Sequence, residues 1–122
     1  MIINMLKSKI HRVTVTNVNL DYEGSIAIDA DLMKAADMIE FEQVDVYNIE
    51  NGERFTTYAI KAPGGSGTIS VQGAAAHKAS VGDLVIICSY AQIDKEQASE
   101  FVPNIVKVDS KNRIKDNGRA AA

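Results

Sequence analysis

Little in this chain invites a disulfide, a membrane or a nucleic acid. A single cysteine, Cys88, excludes an internal disulfide. It ends the apolar run Leu84-Val85-Ile86-Ile87-Cys88, which predicts a buried thiol and suits a reducing cytoplasm. No apolar run approaches the roughly 20 residues of a membrane-spanning helix. Met1-Ile2-Ile3-Asn4-Met5-Leu6 is too short for a signal-peptide core, and charge follows it rather than preceding it. The expectation is a cytoplasmic protein without a membrane partner. A formal net charge of -3 offers no basic footprint for a phosphate backbone, so nucleic acid is not an expected partner either. HExxH, cysteine pairs at zinc spacing and the GxSxG elbow are all missing; no metal is expected, and the common triads lack their residues.

What is present is enough for one domain. The 122 residues, 46% of them hydrophobic, can bury a single compact core. The dominant period is two: Val13-Thr14-Val15-Thr16 and Val44-Asp45-Val46 alternate, and Ile69-Ser70-Val71 and Leu84 to Ile87 are short β-branched runs. Asn51-Gly52 interrupts residues 44–60 with the dipeptide suited to a type I′ turn, predicting a hairpin. Leu32, Met33, Ala35 and Ala36 cluster on one helical face, so a short helix is expected over Asp31 to Met38, capped by Asp29 or Asp31. A second is expected over Asp94 to Glu100. Pro63 to Thr68 reads as a turn rather than a phosphate cradle, because no Lys-Ser or Lys-Thr follows its glycines. From residue 109 onward there is too little apolar surface to offset ordering entropy, so 109–122 is expected to be a disordered tail. Pattern thus predicts a mainly β domain over residues 1–108, a small barrel with short helices.

Five segments carry more than pattern. Lys9-Ile10-His11-Arg12-Val13, Tyr22-Glu23-Gly24-Ser25, Asn51 to Ile60, Gly73-Ala74-Ala75-Ala76-His77 and Val81-Gly82-Asp83 stand in an order and spacing that resemble the bacterial, pyruvoyl-dependent aspartate 1-decarboxylase family over roughly residues 1 to 105. A Gly-Ser dipeptide alone would carry nothing, since Gly65-Ser66 repeats it. The resemblance implies a double-psi β-barrel assembled as a homotetramer with active sites at subunit interfaces. It also implies decarboxylation of L-aspartate to β-alanine and carbon dioxide for pantothenate biosynthesis.

Removing an α-carboxylate leaves an electron pair that no ordinary side chain can delocalise, so an electron-sink carbonyl is needed. By the resemblance, the chain makes one from Ser25. The Ser25 hydroxyl attacks the Gly24 carbonyl, the amide becomes an ester, elimination leaves dehydroalanine, and hydrolysis leaves a pyruvoyl group on residue 25. Chains 1–24 and 25–122 result, with or without a maturation helper protein as partner. Thr57 would stabilise the oxyanion of cleavage and touch substrate. Tyr58 would return a proton to the α carbon, since a phenol holds its proton at neutral pH. Arg54 would grip a substrate carboxylate with its planar fork, and Lys9 would add charge. Gly73, Ala74 and Ala75 would bring backbone amides to the substrate, and His11 would tune the site or merely pack.

Two positions depart from the family's pattern: Gln72 stands where Asn is usual, and Tyr47 where many members carry Trp. Gln72 is given no catalytic role on this basis. Arg54 and Tyr58 should share a strand face, as should Lys9 and His11, but neighbours Thr57 and Tyr58 should not. One pocket then needs either a bulged strand or a pocket wrapped around the strand's edge, and irregular backbone is expected there. A scaffold of this kind could also persist as a non-catalytic barrel that binds a ligand or partner, because fold alone does not fix function.

Overall fold

The computed structural model describes the backbone of residues 1–119 and the side chains of residues 1–115. In chain order the elements are β1 (Ile2–Thr14), β2 (Asn17–Asn19), β3 (Ser25–Asp29), α1 (Ala30–Ala35), β4 (Gln43–Asn48) and β5 (Arg54–Ala62). There follow β6 (Ile69–Gln72), a 3₁₀ turn (Gly73–Lys78), β7 (Leu84–Asp94), α2 (Lys95–Ala98), β8 (Asn104–Val108) and β9 (Ile114–Arg119). The fold is mainly β with short helices, as the periodicity predicts.

All nine strands form one ladder in the order β2-β6-β3-β5-β4-β7-β1-β8-β9. β1 and β2 stand six places apart in that order, yet only Val15 and Thr16 separate them in sequence. In a flat sheet the gap would be about 29 Å, whereas the connecting residues reach about 11 Å. The sheet must therefore curl. Thr16 N–H donates to the Ile69 carbonyl at 2.8 Å, and Ile69 N–H donates to Thr16 Oγ1 at 2.9 Å, tying the end of β1 to β6. The result is a small barrel whose interior holds Ile10, Ile26, Ile28, Val46, Ile69 and Ile87, all inaccessible to solvent. Burying each such side chain contributes about 1.5–3 kcal/mol.

Helix α1 starts where sequence places a cap: Asp29 accepts from Asp31 N–H at 2.8 Å, and Leu32 and Met33 turn into the core. Asp29 is buried, and its carboxylate also accepts from Gly65 N–H at 3.0 Å and Gly67 N–H at 2.8 Å. The glycine-rich segment is thus a turn whose amides are already taken, which leaves no cradle for phosphate. Asp94 caps α2 by accepting from Glu96 N–H.

Three expectations change. The 44–60 hairpin forms, but its connection is not a two-residue type I′ turn. Only Gly52 has positive φ, and residues 49–53 bridge strands that close with Asn48 N–H on the Glu53 carbonyl. The helix expected to reach Met38 stops at Ala35, after which Asp37 adopts φ 57. The tail expected to be disordered from residue 109 instead turns back and pairs as β9 with β8 through residue 119; residues 120–122 lie outside the described part. Polar anchoring replaces the missing apolar area. Buried Asn112 accepts from Thr14 N–H and donates to the Thr14 and Gly67 carbonyls, each at 2.8 Å.

Candidate active site

Ser25 opens β3 and is buried, whereas Gly24 before it is exposed. The antiparallel register sets Ser25 opposite Gln72 on β6, and the Ser25 hydroxyl donates to Gln72 Oε1 at 2.8 Å. Gln72 is the residue that sequence reasoning set aside. Its extra methylene does not lift it away from the serine, and cross-strand pairing, invisible in a linear reading, puts it there. A glutamine amide holds the hydroxyl without being able to take its proton.

Gly73 follows Gln72 and has φ +74. A Cβ on it would meet Gly24 Cα at 2.6 Å, Gly24 N at 2.7 Å and the Tyr22 carbonyl oxygen at 3.0 Å. Only glycine lets the start of the 3₁₀ turn lie against the Gly24 backbone. Ala74 is exposed and Ala75 half-buried on the same turn.

β3 and β5 run parallel, with Ile26 opposite Ala59. Ser25 therefore sits one step before the first paired residue, at the level of Tyr58. Along β5 exposure alternates, with Arg54, Thr56 and Tyr58 outward and Phe55, Thr57 and Ala59 inward. The expected irregularity at Thr57-Tyr58 is absent, because β5 keeps an unbroken register against β4 from Arg54 to Tyr58. β3 starts only at Ser25, so the edge of β5 before Ala59 is unpaired by β3 on that side. The register shifts lie in β1 instead, between Leu6 and Ser8 and between Ile10 and Val13, where Arg12 adopts φ 65.

The outward residues of β5 continue across β4 and β7 to β1. Tyr47 is opposite Arg54, Asp45 is opposite Thr56 and Cys88, and Lys9 is opposite Cys88. Thr56 Oγ1 donates to Asp45 Oδ1 at 2.6 Å. Burial first of all raises the Cys88 thiol pKa, which keeps the sulfur protonated and inert. Among the described residues, ion pairs join Lys7 to Glu42 and Lys78 to Glu53, and neither Lys9 nor Arg54 has a carboxylate partner. Two cations without an ion-pair partner on one face can attract an anion carrying two carboxylates. Thr57 likewise makes no side-chain hydrogen bond among the described residues, so its hydroxyl is free to donate.

His11 is two residues from Lys9 on β1. It lines a cavity of about 300 Å³ with Arg12, Thr14, Lys107, Asp109 and Lys115, and its Nδ1 is buried without a hydrogen-bond partner. Burial, then the charges of Lys9, Arg12 and Lys107, lower its pKa and keep the ring neutral. The structure thus brings Ser25, Gln72, Gly73 and Gly24 into contact and aligns Lys9, Arg54 and Tyr58 on one face. In the single chain it does not join the two groups by a hydrogen bond. No cluster of three His, Cys, Asp or Glu among the described residues is placed to hold a metal.

Comparison with known proteins identifies the family. Residues 1–115 match the family described as aspartate decarboxylase. The aspartate 1-decarboxylase of Thioalkalivibrio sulfidiphilus is 56% identical over 118 residues, covering 97% of this chain and 94% of the relative. That of Methylobacillus flagellatus is 60% identical over 112 residues, covering 92% and 89%. That of Ralstonia pickettii is 54% identical over 112 residues, covering 92% and 93%. With a family match over residues 1–115 and relatives of this likeness covering nearly the whole chain, the chain belongs to the aspartate decarboxylase family.

Proposed function

We propose that this protein decarboxylates L-aspartate to β-alanine and carbon dioxide, after breaking its own backbone between Gly24 and Ser25. The observation that carries the reading is the Ser25 hydroxyl, buried and held at 2.8 Å by Gln72, beside a glycine whose backbone is braced by Gly73. A serine held this way has few rotamers to lose before its oxygen reaches the preceding carbonyl. Gly24 has no side chain to shield that carbonyl. Thr57 donates to the developing oxyanion, a contribution of about 3–4 kcal/mol when such a donor is removed from comparable sites.

The pyruvoyl group into which residue 25 is converted supplies the electron-withdrawing carbonyl that makes loss of carbon dioxide possible. The chain's own side chains do the rest. Arg54 and Lys9 bind and orient the substrate carboxylates, the backbone of Gly73, Ala74 and Ala75 closes on it, and the Tyr58 hydroxyl delivers the proton that replaces the lost carboxylate. Arg54 and Tyr58 are on the barrel's outer face while Ser25 is buried at a strand mouth. Assembly as a homotetramer, with each site completed between subunits, reconciles the two. The product would enter pantothenate biosynthesis in the cytoplasm.

Intact-mass measurement, with and without added cell lysate, tests the reading. The expected result is two polypeptides, residues 1–24 and 25–122, the longer one bearing pyruvoyl, with turnover of aspartate at least about tenfold above glutamate because one methylene displaces a carboxylate held at a fixed place. An uncut 13.2 kDa species under every condition, without turnover, would leave a barrel that binds but does not catalyse.

A further inference from the structure

Arg54, on which the proposed reading places the substrate carboxylate, lies against an aromatic ring. Among the described residues its guanidinium makes no hydrogen bond or ion pair, and it lies over the ring of Tyr47, 4.5 Å from the centroid. The two residues are directly opposite each other on β5 and β4. Stacking on an aromatic face leaves the edge donors of a guanidinium pointing outward, the geometry needed for a two-point grip on a carboxylate. Tyr47 is in turn fixed from a third strand, since its hydroxyl and that of Tyr90 on β7 are 2.7 Å apart. A ring with one polar tip pinned has lost the freedom to swing out from beneath the arginine.

We propose that Tyr47 and Tyr90 are positioning residues that aim Arg54 at the substrate carboxylate and so set the affinity for substrate. The inference rests on the role proposed for Arg54 and adds two residues that act through it. The hydrogen bond to Tyr47, then burial, push the Tyr90 phenol far above its ordinary pKa. The Tyr90 hydroxyl therefore keeps its proton and its link to Tyr47. An indole at position 47 would offer Arg54 a π face but would place no hydroxyl against Tyr90, so the pinning depends on tyrosine at both positions.

The test uses the processed enzyme, with steady-state kinetics on L-aspartate and calorimetric binding of succinate as an unreactive dicarboxylate. Tyr47→Phe and Tyr90→Phe should each raise KM and the succinate Kd about threefold to tenfold, the worth of one hydrogen bond, with kcat changed less than about twofold. The double variant should be no worse than the poorer single one, because both changes break the same link. Tyr47→Trp should bind better than Tyr47→Ala, and ultraviolet titration of Tyr47→Phe should lose its latest phenolate step. Unchanged KM and Kd in Tyr90→Phe, or additive losses in the double variant, would overturn the proposal. Arg54→Ala separates the two levels. If it weakens succinate binding while the tyrosine variants do not, only the positioning role falls; if it leaves binding intact, the assignment of Arg54 falls with it.

Discussion

The chain contains the same dipeptide twice, and the two copies live in different physical worlds. Gly24 is exposed with open space where a side chain would be, while Ser25 is buried with its hydroxyl donated to Gln72. At Gly65-Ser66 the pattern inverts. Gly65 has φ +78 and its N–H is held by buried Asp29, while Ser66 is exposed and its hydroxyl accepts from Thr68 N–H at 3.2 Å. The first copy holds its hydroxyl against Gln72 beside an exposed glycine; the second spends its polar groups closing a turn. On the proposed reading, reactivity at a Gly-Ser bond is a property of the strands around it.

Replacing each serine gives the largest expected contrast. Ser25→Ala should abolish both chain cleavage and decarboxylation, whereas Ser66→Ala should leave both within about twofold, surface changes of this kind costing within about 0.5 kcal/mol. Gel mobility and β-alanine production read the two outcomes. Loss of cleavage in Ser66→Ala, or its survival in Ser25→Ala, would erase the distinction.

The glycines sharpen the contrast. Gly73→Ala forces a methyl against the Gly24 backbone at 2.6 Å and strains a φ of +74. A left-handed alanine alone costs about 1–2 kcal/mol, and displacing the reacting segment by about 1 Å can slow a positioned reaction about 100-fold. Gly65→Ala carries a similar φ penalty, but its new methyl would meet only Asp31 Oδ2 at an ordinary 3.8 Å. Both variants should melt below wild type, with Gly73→Ala lower and only Gly73→Ala slow to cleave. Equal cleavage rates would show that Gly73 braces the fold and nothing more.

Asp29 holds the second copy's turn and also caps α1. Asp29→Asn removes the charge from three backbone hydrogen bonds and turns one acceptor into a donor facing N–H groups. A loss of about 2–3 kcal/mol is expected, since hydrogen bonds to charged groups contribute about 1.5–3 kcal/mol. Denaturant unfolding should register it, while the Gly24–Ser25 bond should still break. Failure to cleave would mean that the two regions are coupled through β3, which joins Ser25 to Asp29.

These contrasts also show what the sequence could and could not reveal. Apolar patterning located the end of β1 and the strands β4, β5, β6 and β7 but not β2, β3 or β8, and Cys88 fell where its run predicted. The Asp29 cap was readable because its helix N–H partner is two residues away. The other two partners lie 36 and 38 residues away, and nothing local announces them. β9 was missed for the same reason: Asn112 anchors it through polar bonds to Thr14 and Gly67, and hydrophobic patterning has no sign for that. At the site, Ser25, Arg54 and Tyr58 were named through their sequence neighbours. Gln72 needed the β3–β6 register, and the edge at Tyr58 needed the late start of β3.

The smallest effect concerns His11, whose cavity borders the anchor of the second copy's turn. Its cavity shares Thr14 with the Asn112 anchor, and Asn112 holds the Gly67 carbonyl. Burial first, then Lys9, Arg12 and Lys107, lower its pKa in the folded state, whereas the unfolded chain keeps an ordinary histidine near 6.5. As pH falls through about 6.5 the unfolded state binds a proton that the folded state resists, so stability present above that pH is progressively lost below it. The slope from this group is at most one proton, about 1.4 kcal/mol per pH unit. His11→Gln should flatten the stability curve between about pH 7 and the folded-state pKa while the rate of Gly24–Ser25 cleavage stays level across that range. If cleavage instead loses its pH dependence in His11→Gln, the histidine tunes the first copy's chemistry, and the boundary between the two regions must be redrawn to include β1.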